Sequence, residues 1–392
     1  MNTVYYLTSG DVLKGRVEPI IWMRTAEWLS RSGFNVKLIS TYFYRRENIS
    51  VKDIFQHYGI EKRFKIVILP TAISKLFSNI NWMRLNYLFV FIIYLVPIFL
   101  TRRKSIYFSK TQICMQVVIF LEKIIRLKQI KVFELHAIDI NNKRLFKMLK
   151  KIDMIIVNSR VVMKELKAKG IEKDKILTVY NAQFAYKGKI MSKEKACAVT
   201  GISSEKHIVM HIGKVLDDTI AFFIQVAKKI RNNKKFEFHI VGGNPDILKY
   251  AKKAIKNNGV YNIIFHGFVP PSRIYIYMSS ADMLVCYYPD TFPMIAQATP
   301  AKCTDYLWSE RPFLCSNNTA MGEILKDFIN CIFYCPHDYE EFVGKINYLV
   351  EQQNVCQRIV SNNIRLSKTL SWKNRVSKIA QGITRISKET SV

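Results

Sequence analysis

The 392-residue chain is short of acid, with 30 Asp and Glu against 60 Lys and Arg and a net charge of +30. It has no Cys-x-x-Cys pair among its eight cysteines, no Asp-x-Asp, no short-period repeat and no low-complexity tract. Each absence excludes something. The thiols lie in apolar runs such as Leu284-Val285-Cys286 and Phe313-Leu314-Cys315, as buried free cysteines do. Cys331, Cys335 and His337 offer part of a metal site, but no fourth ligand accompanies them, so they read as core residues and no metal site is expected. No signal-peptide pattern follows Met1-Asn2-Thr3, and a reducing cytoplasm is expected. No RNP-like run, zinc knuckle or helix-turn-helix signature appears, so a nucleic-acid partner is not expected despite the charge. No convincing transmembrane run is present either. The strongest candidate, Tyr87 to Leu100, has fourteen uncharged residues and is interrupted by Pro97, whereas a spanning helix needs about 20 apolar residues.

What is present describes a folded globular protein: 49% hydrophobic, 23% charged and 12% aromatic residues, with length enough for two domains. The charge is uneven. Residues 1–190 hold 34 basic and 13 acidic side chains, and residues 62–131 hold thirteen basic residues and one acid, Glu122. A patch of that kind attracts a polyanion. Arg84 and Arg102-Arg103-Lys104 flank the apolar run, which is either a buried helix of an α/β domain or a face resting on lipid. The cations tilt this towards lipid, and a peripheral position on an anionic membrane, at the inner face of the plasma membrane, is expected.

Short β-rich runs alternate with longer helical ones, the pattern of a doubly wound α/β fold. In the first half the strands are Thr3–Thr8, 35–40, 65–69, 105–108, 131–135, Met154–Val157 and 175–180, with helices at 18–32, 111–126 and 161–169. A loop with Gly10 and Gly15 follows the first strand, and Asn158-Ser159 is an N-cap pair. Between about 183 and 204 the pattern lapses into a connection and then restarts. Strands are expected at 208–212, 237–241, 262–265, 283–287 and 313–316, with helices at 219–231, 245–257, 272–279, 302–309, 322–326 and 339–352. The expected organisation is a first domain over 1–185, a second over 186–370, and a C-terminal helix over 371–392 returning toward the first.

Two such sheets bind ligands beyond the C-terminal ends of their strands. Ile212-Gly213-Lys214 and Val241-Gly242-Gly243-Asn244-Pro245 are strand ends where backbone amides can meet an anion. From about residue 130 to 375 the chain resembles family 4 glycosyltransferases. The resemblance rests on Glu134-Leu135-His136, Val157-Asn158-Ser159, Tyr180-Asn181, Gly213-Lys214-Val215, Ile240 to Pro245, Phe265 to Val269, and Ser279 to Val285. It continues through Thr299-Pro300-Ala301-Lys302-Cys303-Thr304-Asp305-Tyr306-Leu307, Pro312-Phe313-Leu314, Gly322-Glu323-Ile324-Leu325 and Ser371-Trp372.

That resemblance implies an α/β GT-B protein, two Rossmann-like domains facing a central cleft, which transfers a sugar from a nucleoside diphosphate sugar to a glycan or lipid-linked acceptor. It implies retention at the anomeric carbon, and no cofactor besides the nucleotide-sugar substrate. The family's two glutamates, eight apart, fall on Gln297 and Asp305; Asp305 would hold the ribose hydroxyls from a helix start. The amides of Thr299, Pro300-flanked Ala301 and Lys302 would cradle the phosphates, Gly267 and Phe268 would flank the base, and Gly213 and Gly243 would line the site. Lys214 stands for an arginine on the diphosphate. His136, at the acceptor side, would orient the sugar or take the acceptor's proton, with Asp139 a rival base and Glu134 structural. Without Asp-x-Asp a metal–diphosphate clamp has no candidate ligands. Asp217-Asp218 stands where the family has a second lysine, which, with Gln297, leaves a weakened or inactive nucleotide-sugar binder as an alternative. A sugar-nucleotide epimerase of the same architecture is another.

Overall fold

The computed structural model describes residues 2–14, 18–42, 50, 53–71, 80–183, 190–231 and 235–389. Gly15 and residues 184–189 of the expected connection lie outside them. The chain divides into two compact units, Met1–Tyr180 with Trp372–Val392, and Asn181–Ser371.

In the first unit the strands are β1 (Thr3–Thr8), β2 (Asn35–Tyr42), β3 (Lys65–Pro70), β4 (Ile106–Ser109), β5 (Ile130–Leu135), β6 (Met154–Val157) and β7 (Ile176–Thr178). They form one parallel sheet in the order β3-β2-β1-β4-β5-β6-β7. The order reverses between β1 and β4, where a doubly wound sheet opens its ligand crevice. β4, β5 and β6 are buried at every position, because helices cover both faces of a parallel sheet. Ser159 caps helix Arg160–Ala168 by accepting from the Val162 amide.

The apolar run belongs to a longer helix, Ile80–Leu100, with Pro97 in its last turn. Phe91, Leu95 and Phe99 recur every four residues and are fully buried against the sheet, while Leu85, Phe89 and Ile93 on another face are exposed. Among the described residues, no helix is long and apolar enough to cross a membrane.

The second unit repeats the scheme with β8 (His207–Ile212), β9 (Phe236–Val241), β10 (Ile263–Gly267), β11 (Met283–Cys286), β12 (Phe313–Ser316) and β13 (Ile332–Tyr334). All pairs are parallel, in the order β10-β9-β8-β11-β12-β13, with the reversal between β8 and β11. Alternate residues fill two cores: Val209 and Val285 on one face, Met210, Cys286 and Cys315 on the other.

Several sequence expectations are corrected. The lapse at 183–204 contains a helix, Lys193–Thr200, capped by Ser192 and closed by Gly201 at φ +71°. The segment 322–326 is a 3-10 turn, Ala320–Glu323, and β13 was not expected. The helix placed at 302–309 runs over Ala301–Tyr306, so Asp305 lies in its last turn rather than at its start.

Candidate functional site

In the second unit three strand ends converge through glycine. The Gly213 amide donates to the Val241 carbonyl, and the Gly242 amide donates to the Gly267 carbonyl. Gly242, at φ +132°, lies so close to Gly213 that a Cβ there would stand 1.9 Å from the Gly213 carbonyl oxygen. No side chain fits, so the backbones after β8, β9 and β10 are stacked directly. Phe268 follows this stack and is exposed. Gly243 and Asn244 then lead into helix Pro245–Asn257, whose Ile247 amide is capped by Asn244. A cavity of about 580 Å³ lies here, lined by Lys214, Val215, Leu216, Asp217, Asp218, Gly243, Asn244 and Ile247.

Helix Ala301–Tyr306 is pinned to the same end of the sheet. The buried Tyr306 hydroxyl accepts from the Ile212 amide at 3.1 Å and donates to the Val285 carbonyl at 3.2 Å. It thereby bridges β8 and β11 at the reversal of strand order. Asn181 donates from Nδ2 to the carbonyl and hydroxyl oxygens of Thr299, which fixes the loop before Pro300. Gln297 is buried in a 3-10 turn, Ile295–Gln297, that follows Met294 in the left-handed region.

Sequence reasoning missed His211, which is fully buried on β8. Its Nδ1 lies 3.1 Å from the Val285 carbonyl, and its Nε2 lies 3.3 Å from Lys302 Nζ and 3.4 Å from the Lys214 carbonyl; with Nδ1–H donating to Val285, Nε2 accepts from Lys302. Burial, and then Lys302, hold the imidazole well below its ordinary pKa, so it is neutral. The Lys302 chain crosses Gly213, and its ammonium lies 4.7 Å from the centre of the Tyr288 ring. Lys214 is exposed and sits 5.7 Å from the Phe292 ring, which meets Tyr288 edge-on at 5.2 Å. No sequence motif signalled His211; its role depends on a neighbour 91 residues away.

Asp217 and Asp218 occupy the first turn of helix Asp217–Lys229, where acids suit the helix dipole. Asp218 also accepts from the Thr291 hydroxyl at 2.7 Å. Among the described residues, the thiols that come together are Cys286, Cys303 and Cys315, all buried, with Cys303 and Cys315 sulfurs 3.8 Å apart. Cys331 is buried separately in the same core, and His337 pairs with Asp290.

In the first unit His136 follows β5 and is partly exposed. Its Nε2 lies 2.6 Å from Glu134 Oε1 and 3.0 Å from Lys110 Nζ, where Lys110 follows β4. Glu134 also meets Arg375 of helix Trp372–Glu389 at 2.7 Å. Burial raises the Glu134 pKa, but Lys110, Arg375 and His136 outweigh it and hold the carboxyl well below its usual range. Burial brings His136 down to about 4, with Lys110 adding to the effect. Asp139 is exposed and accepts from the Asn141 amide in a local turn.

Residues 192–366 match the profile of the family described as glycosyl transferases group 1. The second unit is thus similar to that family. An uncharacterised 41.2 kDa protein in the cps region of Klebsiella pneumoniae is 22% identical over 224 residues, covering 56% of this chain and 59% of that protein. The chain thus matches less than two thirds of that relative's length. Among solved structures, the Anabaena protein Alr3699/HepE in complex with UDP-glucose superposes with a TM-score of 0.71 at 16% identity, over 98% of this chain and all of that one. Sucrose-phosphate synthase from Thermosynechococcus elongatus reaches 0.76 at 10% identity, over 99% and 100% of the two chains. These likenesses establish the GT-B fold with its two parallel-sheet Rossmann-like domains.

Proposed function

We propose that this protein transfers a sugar from a nucleoside diphosphate sugar to a hydroxyl of a surface-glycan or lipid-linked acceptor, with retention and without a metal ion. The observation that carries the reading is the glycine stack of Gly213, Gly242 and Gly267 beside helix Ala301–Tyr306, at the strand-order reversal of a group 1 domain. Stacked backbone without side chains admits a diphosphate closely at the C-terminal ends of the strands. Asp305 is assigned to the ribose hydroxyls, Phe268 to the base, and Gln297 and Lys214 to the donor sugar and diphosphate. The UDP-glucose complex of the Anabaena protein and the cps-region relative support a nucleotide-sugar donor and a polysaccharide product.

In the reaction the C1–O bond of the donor breaks and its electron pair leaves on the diphosphate oxygen. The acceptor oxygen bonds C1 and gives up its proton. His136, neutral and hydrogen-bonded to Glu134, suits either proton acceptance or orientation of the sugar. Contact with an anionic membrane is supported by the exposed Leu85, Phe89 and Ile93, the exposed Phe120 and Ile124 of helix Gln112–Ile125, and the neighbouring Arg102, Arg103 and Lys104.

Isothermal titration of the purified protein with nucleoside diphosphates and their sugars, without added metal, tests the reading. Saturable binding that Asp305→Ala loses is the expected outcome. A folded protein that binds none of them sinks it.

A further inference from the structure

We propose that the Lys302 ammonium is the second cation of the diphosphate site, replacing the lysine that the family resemblance places where this chain has Asp217-Asp218, and that His211 positions it. The inference rests on the donor-site reading above and extends it to a side chain so far assigned only through its backbone amide.

Three observations carry it. First, Lys302 is partly buried yet makes no ion pair with a carboxylate among the described residues; it is met by a neutral imidazole nitrogen and an aromatic face, with the thiols of Cys286, Cys303 and Cys315 nearby. A partly desolvated ammonium without a carboxylate partner is costly, and such a cation is retained where an anion completes the site. Second, its place is right. The side chain lies across Gly213, where a Cβ would stand 3.2 Å from Cε and 3.4 Å from Nζ, against the strand end that precedes Lys214. The two lysines are held by the joined rings of Tyr288 and Phe292. Third, the support is built in. His211 is locked by the Val285 carbonyl with its other nitrogen facing Lys302, an arrangement that fixes the ammonium without neutralising it.

Asp217 and Asp218 then cease to be a defect. They are the first-turn acids of helix Asp217–Lys229, and one of them ties down the loop of Thr291. As the donor C1–O bond breaks, negative charge grows on the departing diphosphate, and a fixed cation stabilises that state more than the bound donor.

The test is titration of the full-length protein with UDP, GDP, ADP and dTDP and with the four matching nucleosides. Lys302→Met and Lys302→Gln are expected to weaken whichever diphosphate the wild type binds by roughly 10- to 100-fold, as for a lost charge-assisted hydrogen bond. Nucleoside binding should stay unchanged, and the thermal midpoint without ligand should hold or rise, because a partly buried charge without a carboxylate partner has gone. Lys302→Arg should keep most of the affinity. His211→Leu should lose diphosphate affinity selectively, and His211→Gln, whose Oε1 can still accept from Lys302, should restore part of it. Lys302→Met binding diphosphate like the wild type, or losing nucleoside and diphosphate equally, overturns the inference while the donor site stands. A wild type that binds no diphosphate overturns the donor-site reading, and this inference with it.

Discussion

Glu134 and Arg375, 241 residues apart in the chain, meet at 2.7 Å with both side chains buried. Arg375 also donates to the carbonyls of Val179 and Tyr180, so one guanidinium joins helix Trp372–Glu389 to β5 and to the chain after β7. Removing Glu134 leaves a buried guanidinium without a counter-charge, which costs about 3–5 kcal/mol, and removing Arg375 leaves Glu134 to Lys110 at 3.5 Å and to His136. Glu134→Gln should therefore lower the urea midpoint of the first unit sharply. The neutral pair Glu134→Gln with Arg375→Met should recover part of that loss. A double variant no better than the single would mean that the guanidinium's carbonyl contacts, rather than the ion pair, carry the stability.

Acid sensitivity follows from the same cluster. His136 has its pKa brought down to about 4 by burial and by Lys110, against about 6.5 in an unfolded chain. As pH falls from 6.5 to 4 the unfolded chain takes up a proton that the folded one refuses, so stability is complete above 6.5 and declines below it. Glu134, held below the usual carboxylate range, loses its contribution in the same direction as pH falls further. The thermal midpoint should drop through this window, and His136→Gln should shallow the slope. If His136 accepts the acceptor's proton, turnover of the nucleotide sugar should keep its rate through pH 6.5, with its acid limb nearer 4. A limb centred on 6.5 would assign the proton to another group.

Much of this architecture was legible, and the exceptions have physical causes. Helix Pro245–Asn257 was readable because Asn244 caps it and Pro245 opens it. Helix Lys193–Thr200 carried the same punctuation in Ser192 and Gly201, but only Ala196 and Cys197 are buried, too few to show a face. Three-residue β13 is too short for any alternation to register. Gly213, Asp305 and His136 were singled out through motif order. His211, Lys110 and Arg375 were not, because each acts through a partner that only the strand order brings close.

The glycine stack makes a sharp comparison possible. A Cβ at Gly242 would meet the Gly213 carbonyl oxygen at 1.9 Å, and backbone on both sides leaves nothing that can yield cheaply. Gly259, at φ +61°, has nothing within 4 Å of its would-be Cβ. Gly259→Ala should cost only the left-handed conformation, about 1 kcal/mol. Gly242→Ala should cost several times as much and abolish nucleotide binding. Chemical denaturation of the two variants, with titration of whichever nucleoside diphosphate binds the wild type, checks both. Equal stability losses would mean that the strand ends after β8 and β9 are not in contact.

The exposed face of helix Ile80–Leu100 yields the last prediction. Leu85, Phe89 and Ile93 recur every four residues and so form one stripe, with Phe120 and Ile124 repeating the spacing on helix Gln112–Ile125. Water-exposed aromatic and aliphatic side chains in that number are stabilised by lipid, at about 25 cal/mol per Å² buried. The cations at 102–104 add roughly 1 kcal/mol each near an anionic surface. Sedimentation with phosphatidylcholine vesicles containing phosphatidylglycerol should therefore capture the protein, and vesicles of phosphatidylcholine alone should capture less. Phe89→Ser with Ile93→Ser should reduce capture at least ten-fold at any salt. Arg102→Gln with Arg103→Gln should reduce it mainly at low salt, because the charge contribution is screened and the apolar one is not. Capture that survives both pairs of substitutions would place the lipid contact elsewhere on the chain.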